Sequence, residues 1–169
     1  ESSGFVTANR VLALLKALFN SAIDAGYPGM NPAARVRRFE EHTHERFLQS
    51  DELPKFWAAL EAEPSEKIRD FVKLALFTGQ RRSNVTAMRW ADVNLERGVW
   101  AMPNTKTGRH EIPLPSPALE VLRRRYAACG GAEYVLPGLH GRSHLKDPMR
   151  QWRSILKAAG IGNLRIHDL

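Results

Sequence analysis

The chain has 169 residues, with 25 Lys plus Arg against 18 Asp plus Glu, a formal net charge of +7 and 43% hydrophobic residues. This composition supplies enough apolar side chains for a buried core and excludes wholesale disorder. The most apolar stretch, 11–19, is interrupted by Lys16 and falls short of the roughly 18 unbroken apolar residues of a membrane span.

The opening Glu1-Ser2-Ser3-Gly4 has neither the basic leader nor the apolar core of a secretory signal. A single cysteine, Cys129, excludes an internal disulfide and multi-cysteine zinc sites, and suits a reducing compartment. The charge is unevenly spread. Residues 1–48 carry six basic and five acidic groups, residues 49–99 eight and eight, and residues 100–169 eleven and five. A localised basic excess draws in polyanions such as DNA or RNA, and it equally describes a solvated surface, so charge alone leaves both readings open.

Val11, Leu14, Leu15, Leu18, Ala22 and Ile23 recur at helical spacing, with Thr7 as the expected cap and Gly26 as the stop. Asn31-Pro32 breaks the chain, 33–38 allows one short helical turn, and the charged 40–46 has no periodicity. Beyond it the spacing predicts a helix from Ser50 or Asp51 to Ala62. A second is expected from Ser65 to Phe77, burying Phe71, Val72, Leu74, Ala75 and Leu76. Thr78-Gly79 interrupts, and Ser83 is the expected N-cap of a short helix that sends Val85, Met88 and Trp90 inward.

Residues 99–103 and 110–114 alternate as strands around a polar tip that carries Lys106, which predicts a hairpin. Ser116 or Pro117 opens a helix to Cys129, and Asp147-Pro148 opens another to Ala159. Trp57, Trp90, Trp100 and Trp152 read as core residues. Tyr27, Tyr126 and Tyr134 read as packing residues, and Arg123-Arg124-Arg125 as a solvated helix face or a DNA contact.

Three motifs stand in order: Thr78-Gly79-Gln80-Arg81-Arg82-Ser83 at a helix entrance, Lys106-Thr107-Gly108 on the hairpin, and Arg165-Ile166-His167-Asp168-Leu169 at the end. With Met88-Arg89-Trp90-Ala91-Asp92-Val93 they resemble the catalytic domain of the tyrosine recombinase, or phage integrase, family. Ser-x-x-Lys at Ser143 and Ser154 with Lys-Thr-Gly also suggests serine acylases, but both serines follow Lys106, which is the wrong order. The histidine pairs His42 with His44 and His140 with His144 lie in the linker and a Gly-rich loop, without nearby cysteines.

The resemblance implies a mainly α fold with a small antiparallel β-hairpin or sheet (α+β). It divides the chain into 1–38, the C-terminal end of a truncated core-binding (DNA-binding) domain, 39–46, a linker, and 47–169, a C-terminally truncated catalytic domain. It makes Arg81, Lys106 and His167 catalytic, and Arg35, Arg37, Arg38 and Arg109 DNA-binding. A guanidinium clamps a phosphate with a planar fork of donors. An ammonium on a hairpin can protonate a leaving 5′-hydroxyl, and a histidine can donate to a phosphate oxygen or manage the nucleophile's proton.

The same resemblance implies a site-specific recombinase or integrase that cleaves and rejoins double-stranded DNA through a 3′-phosphotyrosine. No metal or cofactor is implied, and the expected setting is a homotetramer on paired sites, cytoplasmic and nucleoid-associated, with no membrane partner. Two departures stand out. Tyr27, Tyr126 and Tyr134 all precede His167 in sequence, so none matches the family's nucleophile, and the second arginine would fall one residue past Leu169. The expectation is therefore a piece unable to form the covalent intermediate. Asn84 stands where the family often has an acidic residue, which is expected to alter the support of Arg81. The alternative reading is a non-catalytic DNA-binding module.

Overall fold

The computed structural model describes the chain outside residues 1, 42–45, 106–107, 130, 142, 163 and 167–169, and, as regards side chains, also outside 2–3, 103–105, 108–109, 129 and 140. The chain forms two compact units, Glu1–Glu45 and Arg46–Leu169.

In the first unit a single helix, α1 (Ser2–Asp24), is followed by a turn and an extended segment that runs back along it. α1 starts upstream of Thr7, so Thr7 is inside the helix and not its cap. Side-chain amides hold the segment in place. Asn9 exchanges two hydrogen bonds with the Phe39 backbone, each 2.8 Å, and donates to Glu41 Oε1 at 2.7 Å. Asn31 donates to the Lys16 carbonyl and accepts from Ala33 N–H, which fixes the turn after Pro32. Phe5 stacks on Phe39, and most of the apolar stripe of α1, including Val11, Leu14 and Leu18, is exposed. Ala33 is the one buried apolar residue among this unit's described residues, so its order comes from polar contacts more than from a core.

The second unit is mainly helical with one small sheet. Its elements are α2 (Leu53–Glu61), α3 (Glu66–Thr78), α4 (Arg82–Thr86), β1 (Val93–Asn94), β2 (Val99–Thr105), β3 (Gly108–Pro113), α5 (Ser116–Cys129) and α6 (Met149–Ala159). The strands form an antiparallel sheet in the order β1-β2-β3. The expected hairpin is β2 and β3, paired from Val99 with Pro113 to Thr105 with Gly108, with an irregularity between Met102 and Thr105. β1 is too short to show an alternation in the sequence.

Ile68, Phe71, Val72 and Ala75 on α3, and Trp152, Ile155, Leu156 and Ala159 on α6, repeat at helical spacing and are buried. α2 packs on α6 and α3 on α5, with Phe56 meeting Trp152 edge to face at 5.9 Å. Full burial of such a ring contributes about 1.5–3 kcal/mol. Both α3 and α6 end on a glycine in the left-handed region, Gly79 at φ 61° and Gly160 at φ 69°.

Several expectations are corrected. Leu76 is only half-buried; Trp57 and Trp90 are half-buried at the edge of the core and pack against it, whereas Trp100 and Trp152 lie inside it. Tyr27 and Tyr126 are exposed, although Tyr126 still meets Trp90 edge to face. Arg125 is not on a solvated face: it is buried against Asp70, which lies wholly inside the core. Glu52 and not Ser50 or Asp51 occupies the N-cap of α2.

Candidate functional site

The sharpest local geometry in the second unit lies between α3 and α4. Thr78 Oγ1 donates to the Leu74 carbonyl at 2.6 Å, and Gly79 N–H donates to the Ala75 carbonyl at 3.0 Å, closing the end of α3. Gly79 then turns the chain through its positive φ, a conformation in which a Cβ is disfavoured. Two residues later Arg81 is the N-cap of α4, with φ −56° and ψ 140°. Its carbonyl accepts from Asn84 N–H at 2.9 Å and Val85 N–H at 3.1 Å, so the backbone that carries the guanidinium is fixed.

Ser83, the expected N-cap, is inside α4. The register is set by Val85 and Met88, both buried to within 1% exposure, and this apolar anchoring outweighs the preference of a serine for the cap. Arg81 itself is exposed. Among the described residues its side chain has no hydrogen-bond or ion-pair partner, which leaves the planar fork available to an anion. Asn84 meets Arg81 through its backbone N–H.

The segment after α4 is tied to the rest of the unit by backbone pairs. Met88 O accepts from Val135 N–H at 2.9 Å and Trp90 N–H donates to Glu133 O at 3.1 Å. Arg89 lies over the Tyr134 ring at 5.3 Å and pairs with Glu133 at 3.3 Å. Beneath this, Asp70 of α3 receives Arg124 and Arg125 of α5, and Arg125 Nε donates to the Val135 carbonyl at 2.8 Å. The buried network therefore connects α3, α5 and the 133–135 segment that braces the exit from α4.

The third motif is anchored from α6. Trp152 Nε1 donates to the Leu164 carbonyl at 3.1 Å, and Leu164 and Ile166 are buried with the exposed Arg165 between them. That fixes the backbone up to the residue before His167. His167 lies outside the described residues, as does Lys106, which falls in sequence between the paired Thr105 and Gly108. Arg109 is on β3, with its side chain outside the described residues. Arg35, Arg37 and Arg38 are exposed on the segment that follows α1 in the first unit.

Sequence reasoning missed two ionic features. Asp70 is one of five charged residues on α3, so nothing local marks it as the buried one, and its partner Arg125 is 55 residues away. Arg82 pairs with Asp147 at 3.5 Å, 65 residues away. Only the adjacency of Arg82 to Arg81 hinted at a second cation here. Among the described residues no helix is long and apolar enough to cross a membrane.

The phage integrase family profile matches residues 46–169. The chain is 28% identical over 138 residues to the prophage integrase IntR of Escherichia coli (strain K12), covering 73% of this chain and 32% of that protein. It is 28% identical over 152 residues to the integrase of Salmonella phage P22, covering 80% and 35%. The chain thus spans about a third of the length of these relatives. Among solved structures, lambda integrase bound to DNA aligns with TM-score 0.75 and 26% identity, over 97% of this chain and 62% of that one. The Tn1549 transposon integrase in complex with circular intermediate DNA shares the fold at TM-score 0.77 and 18% identity, over 97% and 63%. With a family match over most of its length on the α3-turn-α4, hairpin and α6 framework described above, the chain belongs to the phage integrase family.

Proposed function

We propose that the polypeptide carrying this chain is a site-specific DNA recombinase of the tyrosine type, and that Arg81, Lys106 and His167 belong to its active site. The observation that carries the reading is Arg81: an exposed guanidinium without a partner among the described residues, on a backbone fixed by Gly79, Val85 and Met88. In this reading Arg81 holds the non-bridging oxygens of one DNA phosphate and stabilises the charge that builds up during displacement. A tyrosine oxygen forms the new bond to phosphorus as the bond to the 5′-oxygen breaks. Lys106 delivers the proton that the departing 5′-oxygen takes up. His167 holds a phosphate oxygen or moves the tyrosine's proton. The phosphotyrosine conserves the bond energy, and the reverse attack by a 5′-hydroxyl reseals the strand.

None of Tyr27, Tyr126 and Tyr134 follows His167, so the covalent step is assigned to the polypeptide that carries this chain and not to residues 1–169 alone. The proposed division is a DNA-binding part over 1–38, a linker over 39–46 and a catalytic part from 47. Arg35, Arg37, Arg38 and Arg109 neutralise backbone phosphates, which sets register and adds little sequence discrimination. A tetramer on paired sites is the proposed assembly, by analogy with a lambda integrase tetramer bound to a Holliday junction, which matches this chain with TM-score 0.73.

The test is covalent trapping. The full-length protein is incubated with nicked cognate duplexes and then denatured. An adduct between protein and the 3′-phosphate supports the recombinase reading. DNA binding without any adduct favours a non-catalytic DNA-binding module.

A further inference from the structure

Next to Arg81 in sequence, Arg82 lines a basic recess. The first residue of α4 and the segment leading into α6 face each other across a cavity of about 450 Å³, lined among others by Arg82, Ser83, Thr86, His144, Lys146 and Asp147. Arg82 lines it and Arg81 does not. Lys146 and Ser83 are exposed, and among the described residues their side chains have no hydrogen-bond or ion-pair partner. His144 is already engaged: its Nδ1 lies 3.0 Å from the Leu145 carbonyl, and its ring meets Tyr134 edge to face. Thr86 Oγ1 donates to the Ser83 carbonyl at 3.2 Å.

One carboxylate enters this recess. Asp147 Oδ1 lies 3.5 Å from Arg82 Nη1 and accepts from Met149 N–H at 3.3 Å. Side-chain exposures of 41% for Arg82 and 76% for Asp147 place the pair in water, where such a contact contributes little. Asp147 is also the one non-glycine residue with positive φ among the described residues, at 32°, a backbone state that costs energy and needs local support. A weak, solvated ion pair held on a strained residue is readily exchanged for a stronger anion.

We infer that this recess binds a DNA phosphodiester next to the one assigned to Arg81, and that the phosphate displaces the Asp147 carboxylate from Arg82. The inference rests on the DNA-acting reading above. Arg82 and Lys146 outnumber Asp147, so the recess keeps a positive charge with histidine neutral, and Ser83 adds a hydroxyl donor. Adjacent residues are rooted only about 3.8 Å apart, so the recess lined by Arg82 lies close to the exposed Arg81. Successive phosphates of a strand offer two such anions within one short reach.

The experiment measures binding of residues 1–169 to a short mixed-sequence duplex by fluorescence anisotropy, between roughly 50 and 200 mM salt. Thermal melting confirms that each variant is folded. Arg82→Gln and Lys146→Gln are each expected to lower the slope of log affinity against log salt by about one, so that affinity falls about 3.5-fold less across that range. Asp147→Asn keeps an acceptor for Met149 and tolerates positive φ while removing the competing charge, so it is expected to tighten binding. Salt-dependent binding with an unchanged slope in both Arg82→Gln and Lys146→Gln overturns the second site and leaves the DNA-acting reading standing. Absence of salt-dependent binding by the unaltered chain overturns both.

Discussion

Asp70 Oδ2 on α3 and Arg125 Nη1 on α5 meet at 2.9 Å, with side-chain exposures of 1% and 8%. Arg124 also reaches Asp70, and Arg125 continues to the Val135 carbonyl. Breaking a buried pair leaves an uncompensated charge in the core. Asp70→Asn is therefore expected to cost about 3–5 kcal/mol in urea unfolding. Arg124→Gln, half-exposed at 50%, is expected to cost under about 1 kcal/mol. Replacing both buried partners with apolar side chains should recover much of the loss. Equal, small effects of Asp70→Asn and Arg124→Gln would show that the pair is not a core element.

Gly79 has φ 61°, and a Cβ built on it meets no atom within 4 Å. Gly79→Ala therefore carries a conformational cost without a clash, about 1 kcal/mol in unfolding measurements. Relief of the strain by a shift of the turn would move Arg81, so covalent trapping by the full-length protein is expected to fall further than stability. Wild-type trapping in this variant would separate the turn from the placement of Arg81.

The indole of Trp152 satisfies the Leu164 carbonyl at a buried site. Trp152→Phe leaves that buried carbonyl without its donor, with an expected loss of about 1–3 kcal/mol. Because the segment leads directly to His167, trapping should fall while DNA binding at low salt stays near wild type. Unchanged hydrogen exchange around 164–166 would contradict the anchoring role.

Glu52 is held below its ordinary value of 4.5, first by the side-chain hydrogen bond from Arg46 and then by the Gln49 N–H. A carboxylate with a lowered folded-state pKa contributes stability above its unfolded value, and the contribution is lost as pH falls through the folded one. NMR titration is expected to place the Glu52 midpoint below 4.5, and Arg46→Gln to move it upward. An unchanged midpoint in Arg46→Gln would rule out that bond as the main cause.

Much of this fold is legible in local sequence because periodicity and caps act locally. Phe71, Val72 and Ala75 mark α3, Trp152, Ile155 and Leu156 mark α6, and Gly79 and Gly160 mark the ends of those helices. The start of α4 is less legible: Ser83 has the better cap chemistry, but the burial of Val85 and Met88 puts Arg81 at the cap. Asp70 and Asp147 are illegible for a different reason. Each meets an arginine 55 or 65 residues away, and no window of sequence contains both partners. Within the site, Arg81 could be picked out from its motif and is placed by the fold, whereas Lys106 and His167 lie outside the described residues.

In the proposed function Arg81 clamps the DNA phosphate at which the chemistry occurs. The most direct measurement compares covalent trapping and DNA binding for Arg81→Ala in the full-length protein. Loss of one donor aimed at the developing charge typically costs about 10²–10³ in rate, so trapping should fall by that order. Removal of one phosphate contact should weaken binding only modestly. Trapping at the wild-type rate by Arg81→Ala would show that Arg81 does not hold the reacting phosphate.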